Sequence, residues 1–266
     1  TFGGAVGGTH ALRSVTTNAG GTVAINGGGV TTTGAQTYGE ALSLGAATTL
    51  NASAVTFDGA VSGSYSLTVN GATTLNGGSV NTGTAAQHYS STVSLGANTT
   101  LTAVSVTFDG AVSGNHNFSV NGATTVNGGS VNTGTSTQSY SGAIDLGADT
   151  TLTASGVTLG GAVSGAHAFT VNGTVTLGAD ITLTASGVTL NGAVSGAHAF
   201  TVNGATTLNG GSVDTSTAAQ HYSSTVSLGA DTTLSASNIT FDGAVSGNHS
   251  LVVNGTATLN GGSVTT

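Results

Sequence analysis

Residues 156–173 read "GVTLGGAVSGAHAFTVNG", and residues 187–204 read "GVTLNGAVSGAHAFTVNG". The two stretches differ only at Gly160 and Asn191, and the second begins 31 positions after the first. Related phrases of the form "TFDGAVSG" begin near residues 1, 56, 107, 158, 189 and 240, and the other steps between them are 51 or 55 positions. Self-similarity at a fixed period indicates a repeat protein. We therefore predict a single continuous repeat domain over residues 1–266, built from 51-residue repeats with one shortened, 31-residue repeat.

Apolar residues inside each repeat alternate with polar ones over short stretches, as at Val106 and Phe108. Such alternation is typical of strands with one buried face. Steps rich in Gly, Asn, Asp and Ser, such as "DGAVSG" and "VNGA", separate the stretches and are typical of turns. No stretch as long as a helix has apolar residues at the i, i+3, i+4, i+7 spacing of an amphipathic helix. The chain is therefore predicted to be all-β.

Three all-β architectures fit short strands at this spacing. A five-bladed propeller would lose about two of the four strands of one blade in the 31-residue unit. A string of small sandwiches would leave that unit almost without a core. A parallel β-solenoid tolerates the loss of one whole coil, because each coil rests only on its neighbours. We therefore predict a parallel β-solenoid of about 15 coils, in which 51 residues form three coils of about 17 residues.

The composition narrows the classes of function. The 266 residues include 45 Gly, no Pro, Cys, Met, Trp or Lys, and a single Arg, Arg13, with a net charge of −8. A nucleic-acid surface is excluded, because binding phosphates needs Lys or Arg. A membrane span is not expected, because no run of 18 apolar residues exists. Trypsin-like proteases would find one cleavage site, which favours an extracellular location.

Two longer stretches resemble a known family. Residues 31–61, "TTTGAQTYGEALSLGAATTLNASAVTFDGAV", and residues 147–173, "GADTTLTASGVTLGGAVSGAHAFTVNG", are similar to the repeats of large bacterial filamentous-haemagglutinin-like surface proteins. The resemblance covers nearly the whole chain. It implies a right-handed parallel β-helix, secretion across the outer membrane, and a role in adhesion, biofilm or surface structure. A secretion domain or receptor-binding domain of that family is not recognisable in these residues, which resemble its repeat shaft.

The titratable residues do not predict a metal or cofactor site. Histidines recur once per repeat, which is too wide a spacing to share one ion, and we interpret them as exposed turn residues. One set follows an "SG" turn, and the other lies in "QHY": His10, His116, His167, His198 and His249; His88 and His221. The acids are interpreted as turn residues that bond their own backbone: Glu40, Asp58, Asp109, Asp145, Asp149, Asp180, Asp214, Asp231 and Asp242. A calcium ion bridging neighbouring coils is a lesser alternative.

Catalytic residues are not predicted either. Glycoside hydrolysis usually needs two facing carboxylates, and the pair Asp145 and Asp149 is replaced by Ser94 and Asn98 one repeat earlier. We therefore expect that the chain is not an enzyme and has no cofactor. Paired Thr residues form regular rows, for which solvated strands are favoured over an ice-binding surface. Four tyrosines recur once per long repeat and are predicted to form a structural stack or a rim contact: Tyr38, Tyr89, Tyr140 and Tyr222.

Two functional hypotheses remain from the sequence. The first is a structural β-solenoid shaft or filament subunit, secreted to a bacterial cell surface, which associates end to end or continues into a longer chain. The second is an adhesin segment that binds glycans or a host or neighbouring cell through a lateral face. An adhesin needs a departure from the repeat, and the marked one is residues 13–29, which contain Arg13.

Overall fold

The computed structural model describes all residues, 1–266, and contains thirty β-strands and no helix. The chain divides into two compact units, Thr1–Gly134 and Thr135–Thr266. The first unit contains β1 (Val15–Thr17), β2 (Thr22–Ile25), β3 (Gly29–Thr31), β4 (Gln36–Tyr38), β5 (Ala41–Leu44), β6 (Thr48–Phe57), β7 (Val61–Gly63), β8 (Leu67–Leu75), β9 (Ser79–Asn81), β10 (Gln87–Tyr89), β11 (Val93–Leu95), β12 (Thr99–Phe108), β13 (Val112–Ser113), β14 (Phe118–Val126) and β15 (Ser130–Asn132). The second contains β16 (Thr137–Tyr140), β17 (Ile144–Leu146), β18 (Thr150–Leu159), β19 (Val163–Ser164), β20 (Ala168–Leu177), β21 (Ile181–Leu190), β22 (Val194–Ser195), β23 (Phe200–Leu208), β24 (Ser212–Asp214), β25 (Gln220–Tyr222), β26 (Val226–Leu228), β27 (Thr232–Phe241), β28 (Val245–Ser246), β29 (Leu251–Leu259) and β30 (Val264–Thr265). No helical segment could therefore cross a membrane.

Each unit is a parallel β-solenoid, so the predicted fold class is confirmed. Strands pair in parallel with strands one turn later, and in the regular turns the paired residues lie 18 to 21 positions apart, as for Val55 with Thr73 and Val80 with Leu101. Ten long strands bend at a corner, so each supplies two straight segments. The thirty strands thus give forty segments at three per turn, or about 13 turns.

The coil predicted from the sequence is too short. Between Thr48 and Thr99, which begin equivalent strands in successive long repeats, the chain passes through eight straight segments, supplied by β6 to β11. Eight segments at three per turn make two and two-thirds turns rather than three. The prediction fails because a long strand such as β6 reads as one element in the sequence but turns a corner between Asn51 and Ala54.

A long repeat is therefore not a whole number of turns. Thr49 stacks in register with Thr68, then His88, then Thr107, and its sequence equivalent Thr100 lies in another column. For the same reason the recurring Asn residues of "VNG" do not form one ladder. The Nδ2 of Asn70 donates to Oδ1 of Asn51, 2.7 Å away, which belongs to a different part of the repeat.

The 31-residue spacing contains five straight segments, supplied by β18, β19 and β20. It is three segments, or one turn, shorter than the 51-residue spacing. The shortened repeat has therefore lost one whole turn, as the sequence predicts. The strands that follow remain paired in register, as for Val163 with Leu183 and Ile181 with Phe200.

Val, Leu, Ile and Phe side chains fill the interior, and each buried branched or aromatic side chain contributes about 1.5–3 kcal/mol to folding. Three of the four recurring tyrosines stack on a phenylalanine one turn later, as Tyr89 does on Phe108 with ring centroids 5.6 Å apart, whereas Tyr140 lies next to Leu159. The predicted structural stack is thus correct, and the alternative of a rim contact is wrong, because the four recurring tyrosines are buried.

A glutamine partners each buried tyrosine. The hydroxyl of Tyr89 donates to Oε1 of Gln87 at 3.1 Å. The Nε2 of Gln87 donates to the carbonyl oxygens of Val80 and, on the next turn, Thr102 at 3.0 and 3.1 Å. The arrangement recurs at Gln36 with Tyr38 and elsewhere. Because polar atoms of this group are paired with one another, the glutamine and tyrosine can be buried without an unsatisfied hydrogen bond.

Corner glycines allow the turns to approach closely. Gly122 has a φ of 146°, and a Cβ there would lie 2.1 Å from the carbonyl oxygen of Ala103 on the preceding turn. Only glycine avoids this backbone contact, which explains the glycine of the recurring phrase "VNG".

Candidate functional site

The two histidines of the "QHY" phrase face outward and contact an aspartate on the next turn. Nε2 of His88 is 2.6 Å from Oδ2 of Asp109, and the same distance separates His221 from Asp242. The strand register produces this contact, because His88 pairs with Thr107, two residues before Asp109.

An asparagine one turn further on holds each of these aspartates. The Nδ2 of Asn127 donates to Oδ1 of Asp109 at 2.7 Å, and Asn260 does the same for Asp242 at 2.8 Å. The hydrogen bond from Asn127, followed by the contact with His88, lowers the pKa of Asp109 below its ordinary value. Each trio of His, Asp and Asn therefore links three successive turns on the outside of the solenoid.

The histidines of the "SG" turn make a longer contact. Nδ1 of His249 is 3.5 Å from Oδ1 of Asp231 on the preceding turn. That carboxylate also accepts a hydrogen bond from the backbone N–H of Ser250 at 2.9 Å, which is the main cause of the lowered pKa of Asp231. The same pairing occurs between His167 and Asp149 and between His198 and Asp180.

These pairs were not predicted from the sequence, in which the histidines and aspartates were interpreted as separate turn residues. A signal was present in the spacing. The numbers of His88 and Asp109, and of Asp231 and His249, differ by close to the length of one turn. Coils of 17 residues, three to a repeat, would instead have aligned each histidine with the equivalent histidine three coils away.

The clusters of His, Asp and Asn are poorly suited to bind a metal ion or to catalyse a reaction. No three His, Asp or Glu residues converge in the chain, and each trio ends in an uncharged amide. The side chains of His88 and Asp109 are 41% and 35% exposed, so solvent screens the interaction, and such a pair contributes about 0–1 kcal/mol. The carboxylates of Asp145 and Asp149, the closest acids in sequence, lie on β17 and in the turn after it, and Asp149 accepts from the N–H of Ala168 at 2.9 Å.

Outward hydroxyl groups form a lateral row on the first unit. Six consecutive turns place a Thr or Ser at the same register position, with neighbouring turns about 4.8 Å apart: Thr16, Thr37, Thr56, Thr74, Ser94 and Ser113. The next row is interrupted by His88, between Thr68 and Thr107. The first row is the regular polar feature that a lateral partner would meet.

The first and last turns differ from the interior ones. An open cavity of about 490 Å³ lies at the N-terminal turn, lined by Phe2, Leu12, Val15 and Glu40 among others. At the other end, β29 pairs with β27. Val252 and Leu259 on that strand are 49% and 54% exposed.

Comparison of the chain with protein-family models, curated proteins and solved structures finds no match. The resemblance to filamentous-haemagglutinin-like repeats therefore stays a prediction. The chain is a parallel β-solenoid, consistent with β-helix repeat proteins.

Proposed function

We propose that the chain is a structural protein, a β-solenoid shaft or filament-forming subunit without catalytic activity. The observation that carries this proposal is that the repeated polar residues contact one another between neighbouring turns. The trio of His88, Asp109 and Asn127 links three turns on the outside, and Gln87 with Tyr89 links two turns inside. The recurring chemistry of the chain thus maintains a stack of turns and presents no converging set of reactive groups.

We place this shaft outside the cell, at a bacterial surface. The resemblance to filamentous-haemagglutinin-like repeats supports that location. So does the single Arg, Arg13, in a chain without Lys, because it leaves trypsin-like proteases one site.

The partners that this role implies are further turns of the same kind. They would be supplied by a second copy that stacks end to end, or by a longer chain. The interior turns support such a partner, because segments of different sequence already pair in parallel from one turn to the next, as Val163 does with Leu183.

A second candidate is an adhesin segment. The cavity of about 490 Å³ is lined partly by residues of the irregular N-terminal region, including Ser14 and Asn18. The row of outward hydroxyls from Thr16 to Ser113 offers a lateral face for glycan contact. The six residues of that row are all Thr or Ser, so the row offers no aromatic side chain on which a sugar ring could stack, and this favours the structural role.

Electron microscopy of the 266-residue polypeptide over a concentration series tests the proposal. A filament subunit is expected to give fibres that lengthen with concentration and diffract at about 4.8 Å along the axis. Particles of constant size that bind a glycan array or intact cells would overturn the filament role in favour of the adhesin. Particles of constant size that bind neither glycans nor cells would leave one role, that of a shaft within a longer chain.

A further inference from the structure

Three residues of the first unit replace a polar residue of the repeat by an apolar or aromatic one. Tyr65 stands in place of histidine, Ala47 in place of Asn or Asp, and Val104 in place of serine. Their equivalents in the other repeats are, in the same order, His10, His116, His167, His198 and His249; Asn98, Asp149, Asp180 and Asp231; Ser53, Ser155, Ser186 and Ser237. In the sequence these three changes are far apart and show no relation to one another.

The fold brings the three positions to one corner of the solenoid. Ala47 lies in the corner between β5 and β6, and the next turns stack on it the corner between β7 and β8, the corner between β9 and β10, and the bend within β12. These contain Tyr65, Ala85 and Val104, and the N–H of Val104 donates to the carbonyl oxygen of Ala85 at 3.2 Å. We call these four residues the Tyr65 corner. Four successive turns extend about 14 Å along the axis.

The residues of the Tyr65 corner are exposed and uncharged. Tyr65 is 46% exposed and Val104 is 57% exposed, and Ala47 is exposed as well. At the equivalent corner positions of the second unit a histidine faces an aspartate instead, as Nδ1 of His167 lies 3.6 Å from Oδ1 of Asp149. The changes at Ala47 and Tyr65 therefore remove a polar contact between turns and leave an aromatic ring in the solvent. The stacking of turns does not explain this exchange.

Hydroxyl groups lie on the turns next to the ring. Ser64 and Thr84 are exposed, and a Cβ on Gly83 would lie 3.9 Å from Oγ of Ser64, which shows that the two turns are side by side. A sugar has an apolar ring face that stacks on an aromatic side chain, and hydroxyl groups that exchange hydrogen bonds with Ser and Thr. One exposed ring, small apolar neighbours and nearby hydroxyl groups are therefore suited to a sugar.

We propose that the Tyr65 corner is a contact site for a neutral saccharide, with a sugar ring stacked on Tyr65. A neutral ligand is favoured over an acidic one, because the net charge of the chain is −8 and its four residues at this corner offer no cation. A saccharide is favoured over a protein partner, because a stable protein interface takes about 20–30 residues on each side. The site goes beyond the proposed structural role and does not depend on it.

A microarray of neutral and acidic oligosaccharides, probed with the 266-residue protein, tests this proposal. Binding to at least one neutral oligosaccharide, and not to heparin fragments, is expected. The affinity for the bound oligosaccharide is then measured by NMR titration. The variant Ala47→Asp/Tyr65→His restores the residues that three other repeats carry together, so it should keep the fold. It is expected to bind about tenfold more weakly, whereas Tyr65→Phe, which keeps the ring, should bind nearly as well as the parent.

Two binding results would overturn the proposal. One is equal affinity of the parent and Ala47→Asp/Tyr65→His, with both folded by circular dichroism, because the saccharide would then bind elsewhere. The other is a failure of every neutral oligosaccharide to bind at millimolar concentration. Analytical ultracentrifugation tests a second copy as the occupant. Dimerisation that the double variant abolishes, without saccharide binding, would assign the corner to contact between two chains and overturn the saccharide site.

Discussion

The imidazole Nε2 of His88 lies 2.6 Å from Oδ2 of Asp109, and Asn127 donates to the other oxygen of the same carboxylate at 2.7 Å. One aspartate is thus shared by the turn before it and the turn after it. In the preceding repeat, Asp58 keeps the asparagine, Asn76, but Thr37 stands where the histidine would be. The chain therefore contains the linkage with and without its histidine.

This difference predicts a dependence of stability on acid. Because the folded state lowers the pKa of Asp109, its contribution is fully present above the ordinary aspartate pKa of 3.8 and is lost as the pH falls through the lower, folded value. Asp109→Asn is expected to reduce the free energy of unfolding at pH 7 by about 0.5 kcal/mol, since the group is largely exposed. Its effect should shrink as the pH falls below 3.8 and through the lower pKa of the folded state.

Denaturant titrations at pH 7, 4 and 2.5 measure this dependence. Asp58→Asn serves as the control, because Asp58 has no histidine partner and should show a smaller loss at pH 7. Equal losses for the two variants at every pH would contradict a contribution from His88.

The buried pair Gln87 and Tyr89 predicts a larger effect. Tyr89→Phe removes the hydroxyl that donates to Oε1 of Gln87 at 3.1 Å and leaves that oxygen buried without its donor. The expected loss is about 1–3 kcal/mol. Urea unfolding followed by circular dichroism checks it, with hydrogen exchange of the β10 amides as a local measure. Tyr65→Phe is the control, because Tyr65 is 46% exposed, and should change stability by less than about 0.5 kcal/mol.

At one buried hydroxyl we expect a substitution to raise the free energy of unfolding. Oγ1 of Thr124 is buried without a hydrogen-bond partner, whereas the equivalent Thr73 donates to the carbonyl of Gly71 at 3.2 Å. The short repeat has Val175 at this position. Thr124→Val is therefore expected to raise the free energy of unfolding by about 1 kcal/mol.

The matched variant Thr73→Val tests the reason for that gain. It removes a hydroxyl that is bonded, so its effect should be neutral or destabilising. A gain of equal size in both variants, measured by thermal unfolding, would show that the extra methyl group stabilises the core irrespective of hydrogen bonding.

The strand type, the solenoid and the missing turn could be predicted from the sequence because alternation and period are local properties. The length of the turn could not, because it depends on where a strand bends, and the corner between Asn51 and Ala54 looks like continuous strand. The partners of His88 and Gln87 were missed for the same reason. A contact between turns is visible only when the turn length is known.

Glycines that lie next to an asparagine of the preceding turn show how the length of a turn can be read from the sequence. A Cβ on Gly96 would lie 1.9 Å from Oδ1 of Asn76 on the preceding turn, and Gly45 and Gly229 stand in the same relation to Asn26 and Asn209. The glycine after "SL" thus leaves room for an asparagine side chain one turn earlier. Spacings between such different residue types, rather than between identical ones, carry the turn length.

The shortened repeat finally predicts which deletions the fold accepts. Removing residues 76–95 excises β9, β10 and β11, three segments and one turn, and joins Leu75 to Gly96. The resulting phrase, "TTLGANTTL", matches residues 175–183, "VTLGADITL", in which β20 already passes directly to β21. The deletion also removes Gln87 and Tyr89 together. Because every remaining segment keeps its column, the variant should retain parallel β-structure and a melting temperature within a few degrees of the parent.

Removing residues 76–85 instead takes out half a turn and leaves Gln87 without its partners Val80 and Thr82. This variant should lose the hydrogen-exchange protection of β10 to β12 and melt at a lower temperature, because the later segments no longer meet their neighbours in register. Circular dichroism melting and hydrogen exchange of both variants decide the matter. Equal losses from the two deletions would mean that the number of residues removed matters more than the number of turns.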